Sequence, residues 1–127
     1  ILASGGAGHL WRQTTNPSVA TGDGIAMAHR AGASVRDLEF VQFHPTALHF
    51  DKAPCFLISE AVRGEGAVLV DKFGHSPVSH LSGGDLASRD QVSRALVQAM
   101  TRQKVDHMSL DLKPISSAQV ENHFPTM

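Results

Sequence analysis

One apolar stripe with helical spacing is longer than any other patterned segment of this 127-residue chain. It begins after Ser88, and Gln91 lies three residues further on, at the spacing of a capping box. The stripe predicts one amphipathic helix with a core-facing side. The other apolar runs are short and are separated by glycine, proline or polar residues, so the remaining elements must be short as well. The stripe consists of Val92, Ala95, Leu96, Ala99 and Met100.

Predicted strands and helices alternate along the chain with short connections, which favours the α+β class. The segment from Ser76 to Asp85 is rich in serine, glycine and histidine and predicts irregular structure. We predict strands at Ile1–Ser4, Leu38–Phe43, Phe56–Ile58, Ala67–Val70 and Met108–Leu112. We predict further helices at Ile25–Ala31, at Ser59–Arg63, and after Ser116, which has Gln119 at capping-box spacing.

The composition excludes several functional classes. Eleven basic side chains nearly balance twelve acidic ones, which argues against nucleic acid or an anionic membrane surface as the main partner. No apolar run approaches the about 18 residues that a membrane-spanning helix needs. The single cysteine, Cys55, permits no internal disulfide and fits a reducing, cytoplasmic compartment. The first residues have the pattern of a strand that ends in a glycine turn, so we expect the chain to be a piece of a longer protein.

Two glycine clusters, Gly5 with Gly6 and Gly22 with Gly24, are candidates for binding a flat or phosphorylated ligand. Glycine lets the backbone approach a ligand closely, and helix N-termini offer unpaired N–H groups. Asp23 lies inside the second cluster and could accept hydrogen bonds from a ligand hydroxyl. The alternative is a pair of ordinary turns with a capping aspartate. The residues alone favour this alternative, because no G-x-G-x-x-G motif follows a strand here.

His44 is a candidate for binding a substrate carboxylate. It ends a predicted strand, and Pro45 biases it towards an extended conformation. A histidine held by a strand end can donate a hydrogen bond to a carboxylate, and its charge can change near neutral pH. A hydrogen-bonded histidine with only a structural role explains the residue equally well.

A polar cluster follows the strand predicted at Phe56–Ile58. Ser59 could cap the next helical turn and also offer its hydroxyl to a ligand. Glu60 and Arg63 are spaced to pair across one turn of that helix. On the residues alone, this structural interpretation is favoured over a binding site.

Arg89 is the other candidate for contact with an anionic substrate. If Ser88 is the N-cap, Arg89 occupies the first helical position, where the helix dipole disfavours a cation by about 0.3–1 kcal/mol. An unfavourably placed charge of this kind is typical of functional residues. The negative charge of Asp90 would partly compensate for it. A solvated arginine is the alternative. The histidines have no spacing typical of metal ligands, so we expect no metal site.

Taken in this order, the clusters resemble the flavoprotein family of succinate dehydrogenase, fumarate reductase and L-aspartate oxidase. The resemblance extends over nearly the whole chain, and several motifs in the right order are more specific than any one alone. Three features are similar to the aspartate oxidase branch: the loop Thr14–Pro17, the strand end His44–Leu48, and the short link from the Ser88 helix to Leu110–Asp111. The strings that carry the resemblance are Ser4–Gly8, Thr15–Pro17, Ala20–Gly24, Leu38–Phe40, Gln42–Ala47, Ser59–Gly66 and Leu86–Asp90.

The resemblance implies a fold, a cofactor and a reaction. Residues 38–127 would form the capping (substrate) domain of a fumarate reductase-like flavoprotein, and residues 1–37 an edge of the FAD-binding domain. The cofactor would be FAD, with Gly5, Gly6 and Asp23 in contact with it. L-aspartate would be oxidised to iminoaspartate, on the route through quinolinate to NAD, with dioxygen or fumarate as the electron acceptor. The rest of the FAD-binding domain would be the protein partner, and the chain alone would be inactive.

The resemblance also assigns substrate roles. His44, Ser59 and Glu60 would lie at the substrate carboxylates, and Arg89 would be the catalytic acid or base or stabilise charge in the transition state. Two departures from the family pattern affect this assignment: Ser59 replaces the usual threonine, and residues 76–85 lack the usual Arg-Phe-Met string. A succinate dehydrogenase or fumarate reductase flavoprotein subunit is one alternative. The other is a non-catalytic interaction domain that keeps the inherited fold.

Overall fold

The computed structural model describes residues 1–50 and 53–125. The chain divides into two compact units, each of which is described by itself. Unit 1 consists of Ile1–Val41 and Ala47–Leu57, and unit 2 consists of Gln42–Thr46 and Ile58–Met127. None of the helices within the described residues is both long and apolar enough to cross a membrane.

Unit 1 is built around one helix and one two-stranded sheet. A short 3-10 helix, Gly8–Leu10, precedes helix α1, Asp23–Arg30. Strands β1, Ala47–Leu48, and β2, Phe56–Leu57, pair in antiparallel register with Ala47 opposite Leu57. Helix α1 agrees with the helix predicted at Ile25–Ala31, and β2 with the strand predicted at Phe56–Ile58. Strand β1 was not predicted, because two residues are too few to show an alternating pattern.

Two of the predicted strands, Ile1–Ser4 and Leu38–Phe43, are wrong. Neither segment pairs with another strand within the part of the chain that the structure describes. Around the second segment the Phe40 N–H donates to the Asp37 carbonyl at 3.1 Å and closes a turn. Apolar and β-branched residues are compatible with a strand, but a strand forms only where a neighbour supplies backbone partners.

Unit 2 consists of three helices, one two-stranded sheet and a 3-10 helix. Its elements are α2, β3, the 3-10 helix, α3, β4 and α4 in chain order, and β3 pairs with β4 in antiparallel register, Leu69 opposite Leu110. The strands predicted at Ala67–Val70 and Met108–Leu112 are confirmed, as are the helices predicted after Ser59, Ser88 and Ser116. The elements span Glu60–Gly64 (α2), Val68–Val70 (β3), Gly84–Leu86 (3-10), Arg89–Gln103 (α3), Ser109–Asp111 (β4) and Ser117–His123 (α4).

The core of unit 2 has two parts, and the predicted stripe of α3 lies in the larger one. This part joins α3 to β3 and to the segment that leads into α3. The smaller part lies beneath α2 and the turn before α4. Because α2 and α3 both pack on this core, their positions in unit 2 are fixed. These two helices carry Glu60 and Arg89. The larger part contains Leu69, Val78, Ala87, Val92, Ala95 and Leu96, and the smaller one Val62, Ala67 and Ile115.

Two capping boxes were predicted, and one of them forms. At α4 the Ser116 hydroxyl accepts from the Gln119 N–H, and the Gln119 side chain accepts from the Ser116 N–H. At α3 Ser88 is the N-cap residue, but its hydroxyl donates to the Asp90 carboxylate at 2.7 Å and makes no cap bond. The capping box predicted with Gln91 is therefore wrong, because Asp90 competes for the same hydroxyl.

Candidate functional site

Arg89 is held by two side chains from other segments of unit 2. Its Nε donates to the Glu60 carboxylate at 2.9 Å, and a terminal nitrogen donates to the Gln42 side-chain oxygen at 3.1 Å. The Arg89 side chain remains 42% exposed, so its remaining donors are accessible. A carboxylate partner offsets the unfavourable position of this cation at the start of α3. Arg89 is thus oriented rather than freely solvated.

Glu60 is kept ionised by this pairing. It is the first residue of α2, where a negative charge is favoured by the helix dipole. The hydrogen bond from Arg89 is the main cause that lowers the pKa of the Glu60 carboxyl, and the charges of Arg89, Arg63 and His44 lower it further. The carboxylate therefore stays charged well into the acidic range and continues to hold Arg89.

His44 lies close to the same charges and is partly buried. Burial is the main cause that lowers the pKa of its imidazole, and the positive charges of Arg89 and Arg63 act in the same direction. The imidazole is therefore neutral at neutral pH, whereas the sequence left a charged form open. Its Nδ1 lies 3.3 Å from the Thr46 N–H and 3.1 Å from the Thr46 carbonyl. If Nδ1 accepts from the N–H, the proton is on Nε2, which can then donate to a ligand carboxylate.

Thr46 fixes the segment that carries His44. It is buried, and its hydroxyl donates to the Ile58 carbonyl at 2.8 Å. The Thr46 carbonyl accepts in turn from the Ile58 N–H at 3.2 Å. This reciprocal pair attaches residues 42–46 to the segment that leads into α2, which explains how His44 and Glu60 come to lie near each other. The sequence analysis named Thr46 only as part of a motif.

Arg63 is the residue that the sequence analysis missed. It lies on α2 and is only 3% exposed, and within the described part of the chain one of its nitrogens has a partner, the Asp85 carbonyl. Its Nε and other terminal nitrogen make no hydrogen bond to any described residue. Burial lowers the pKa of the guanidinium, while the charges of Glu60 and Asp85 act in the opposite direction. The spacing from Glu60 was recognised, but nothing in the sequence indicated that the side chain is buried.

Ser59 caps α2, as its residue type and position predicted. Its hydroxyl oxygen accepts from the Ala61 N–H at 3.2 Å and caps α2. The hydroxyl thereby orients the start of the helix that carries Glu60 and Arg63. Capping uses the oxygen as an acceptor, so the Ser59 proton is still available for donation to a ligand.

The cluster in unit 2 carries a net positive charge. The charges of Arg63 and Arg89 lower the pKa values of both His44 and Glu60, so two guanidinium groups, one carboxylate and one imidazole lie near one another. A guanidinium matches the planar, two-oxygen geometry of a carboxylate, and a neutral imidazole supplies one more donor. The arrangement can therefore bind an organic anion with carboxylate groups. The residues are His44, Ser59, Glu60, Arg63 and Arg89.

The cofactor candidates lie together in unit 1. The Gly22 N–H donates to the Gly6 carbonyl at 3.0 Å, which joins the first glycine cluster to the N-terminus of α1. A Cβ added at Gly5 or Gly6 would meet nothing within 4 Å, so packing among the described residues does not require these glycines, whereas the backbone does favour glycine at position 5, where φ is 76°. Asp23 is the first residue of α1. An open backbone surface next to a helix N-terminus fits a flat cofactor with phosphate groups.

Comparison with known proteins shows which family the chain belongs to. The sequence model for the FAD binding domain matches residues 1–127, the whole chain. The chain belongs to the FAD binding domain family. FAD is thus confirmed as the cofactor that the sequence resemblance implied, and the fold is that of the FAD-binding domain in the succinate dehydrogenase and fumarate reductase group.

Relatives within this family cover the chain from end to end. The L-aspartate oxidase of a Nostoc species is 53% identical over 100% of the chain, and that of a Synechocystis species is 52% identical over 100%. Among solved structures, a quinol-fumarate reductase with menaquinol molecules is 33% identical, with a TM-score of 0.84 over 98% of the chain. The chain spans 23% and 24% of the length of the two oxidases and 24% of the reductase chain.

Proposed function

We propose that the protein is an FAD-dependent L-aspartate oxidase that converts L-aspartate to iminoaspartate, in the supply of quinolinate for NAD. The observation that carries the proposal is the identity of about half the residues, over the whole chain, to the L-aspartate oxidases of Nostoc and Synechocystis. Identity to the quinol-fumarate reductase is lower, at 33%. The proposed electron acceptor is dioxygen or fumarate, and the proposed location is the cytoplasm.

The cluster in unit 2 supports a binding role for a four-carbon dicarboxylate. We assign one substrate carboxylate to Arg89 and the other to His44 and Ser59, with Glu60 holding Arg89 in place. Fixing both ends of the substrate places its Cα in one orientation, and orientation of this kind lowers the entropic part of the barrier. Because a guanidinium carries a positive charge in proteins, the main effect that we assign to Arg89 is electrostatic.

The cofactor role is assigned to the residues of unit 1. Gly5 and Gly6 would allow the close approach of FAD, and Asp23 would accept a hydrogen bond from it. FAD, when bound, supplies the two-electron redox chemistry. In the terms of the family, residues 1–37 would be the edge of the FAD-binding domain, with the rest of that domain as partner. Residues 38–127 would be the capping domain.

The test is an anaerobic reduction experiment on the complete protein with bound FAD. Addition of L-aspartate is expected to bleach the visible absorbance of the flavin, and iminoaspartate is expected as the product. Succinate at the same concentration is the control, because it keeps both carboxylates but lacks the amine. Reduction by succinate and not by L-aspartate would assign the protein to the succinate dehydrogenase and fumarate reductase branch. No reduction by either dicarboxylate would favour a non-catalytic domain.

A further inference from the structure

Asp85 makes two different connections immediately before α3. It lies in the 3-10 helix Gly84–Leu86, and its carboxylate accepts from the Leu69 N–H in β3 at 2.7 Å. Its backbone carbonyl accepts from the buried guanidinium of Arg63 on α2. One residue therefore attaches the segment before α3 to both a strand and a helix of the same unit.

The bond to Leu69 satisfies a strand edge that would otherwise lack a partner. Leu69 is buried in β3, and the described part of this sheet contains only β3 and β4. The Leu69 N–H donates to Asp85 instead of to another strand. A buried backbone N–H without an acceptor is strongly unfavourable, so the carboxylate is confined to this position. Ala87, two residues after Asp85, is also buried and holds the segment against the core.

The position of Asp85 decides where α3 begins. Only Leu86, Ala87 and Ser88 separate it from Arg89, the first residue of the helix. Arg89 is paired with Glu60 on α2, and Asp85 is paired with Arg63 one turn further along the same α2. Two connections from one short segment to one helix fix the distance between α2 and the start of α3.

We propose that Asp85 is a positioning residue for Arg89 and acts through the hydrogen bond that its carboxylate accepts from the Leu69 N–H. The inference rests on the proposed function for the importance of Arg89, but the geometry on which it depends is independent of the reaction. Without the carboxylate acceptor, the segment before α3 loses its hydrogen bond to β3 and keeps only the bond to α2 and the packing of Ala87. Arg89 then moves relative to Glu60, and misplacement of a substrate contact by about 1 Å lowers the rate by about a hundredfold.

The test compares three variants of the complete protein with bound FAD. Asp85→Ala removes the acceptor, and Asp85→Asn keeps a side-chain oxygen of the same shape without the charge. Asp71→Ala is the matched control, because Asp71 also accepts backbone N–H groups next to β3, from Phe73 and His75 at 2.8 and 2.9 Å. Two properties are measured: kcat for L-aspartate, and the pKa of the Glu60 carboxyl, followed by NMR on protein labelled with 13C at glutamate carboxyls and assigned with Glu60→Gln.

We expect Asp85→Ala to lower kcat by at least about tenfold and to raise the pKa of Glu60 towards its ordinary value, because the hydrogen bond from Arg89 is the main cause of its depression. Asp85→Asn is expected to keep both properties near wild type. Asp71→Ala is expected to lower thermal stability but to leave kcat unchanged.

Each other outcome has a defined meaning. If Asp85→Ala leaves the Glu60 titration unchanged, Asp85 does not position Arg89, whatever the activity. If Asp85→Asn lowers kcat as much as Asp85→Ala does, the charge of Asp85 matters rather than its role as a hydrogen-bond acceptor, and the proposal is wrong. An equal loss of kcat in Asp71→Ala would mean that the effect is general destabilisation. Failure of the wild-type protein to oxidise L-aspartate contradicts the proposed function alone, because the Glu60 titration still tests Asp85.

Discussion

Replacement of Arg63 by methionine should affect stability and activity differently. Methionine is unbranched like the arginine stem and can fill most of the same space, but it has no donor and no charge. Arg63 is 3% exposed, and two of its three guanidinium nitrogens have no partner among the described residues. We expect Arg63→Met to keep or increase the stability of unit 2 and to lower turnover of L-aspartate.

The magnitude follows from the partners of the guanidinium. A buried polar group without a partner costs about 1–3 kcal/mol, so two such nitrogens together cost roughly 2–6 kcal/mol. The hydrogen bond to the Asp85 carbonyl returns about 1.5–3 kcal/mol, because the donor is charged. The net effect of Arg63→Met therefore lies between a loss of about 1 kcal/mol and a gain of about 4.5 kcal/mol of stability, with a gain of roughly 2 kcal/mol at the centre of the range. For turnover we expect a loss of about tenfold to a hundredfold, since a positive charge next to Glu60 is removed.

Hydrogen exchange of the α2 amides, measured by mass spectrometry on the complete protein, reports the local free energy of opening. Kinetics with L-aspartate give kcat and KM on the same samples. Arg94→Met is the matched control, because Arg94 is 77% exposed on α3 and pairs with Asp90 at 3.5 Å. It should change neither property appreciably. A loss of more than about 2 kcal/mol in Arg63→Met would refute the reasoning, since it would mean that both free nitrogens are well satisfied.

Three further predictions concern other parts of unit 2. Arg89→Ala should reduce aspartate oxidation to background while the thermal midpoint changes little; near-normal turnover would remove Arg89 from the site. Because the pKa of His44 is lowered on folding, the unfolded chain binds the extra proton first, so stability should fall as the pH drops below about 6.5. His44→Gln should flatten that decrease in acid denaturation curves and raise KM for L-aspartate, and unchanged curves and KM would contradict both roles. Gln119→Ala should lower the local stability of α4 by about 1 kcal/mol in hydrogen exchange, through loss of the capping box; unaltered exchange there would show that the box is not formed in solution.

The helices of this chain were predictable and the strands were only partly so. The stripe after Ser88 and the box at Ser116 are local patterns, and both produced helices at the expected positions. The apolar runs at Ile1–Ser4 and Leu38–Phe43 have the composition of strands, but the described residues offer them no partner. Helix formation depends on hydrogen bonds within one segment, whereas a strand depends on a second segment that no local pattern reveals.

The same distinction holds for the site. His44, Glu60 and Arg89 could be named from the sequence, because each belongs to a motif. Local position adds to this, since His44 precedes a proline, and Arg89 is a cation at a predicted helix N-terminus. Their proximity in unit 2 was an expectation that the pKa effects among them now support. Arg63 could not be identified, because burial of a guanidinium depends on residues from several segments.

The sequence by itself determined which residue types are available and where helices begin, since both follow from neighbours along the chain. It also determined the family, because the similarity to L-aspartate oxidases extends over the whole chain, with about half of the residues identical. Only the tertiary structure decided that Arg89 pairs with Glu60, that the buried Arg63 has two nitrogens unpaired among the described residues, and that burial lowers the pKa of His44. Charge pairing and desolvation depend on distances between segments far apart in the chain, and folding alone sets those distances.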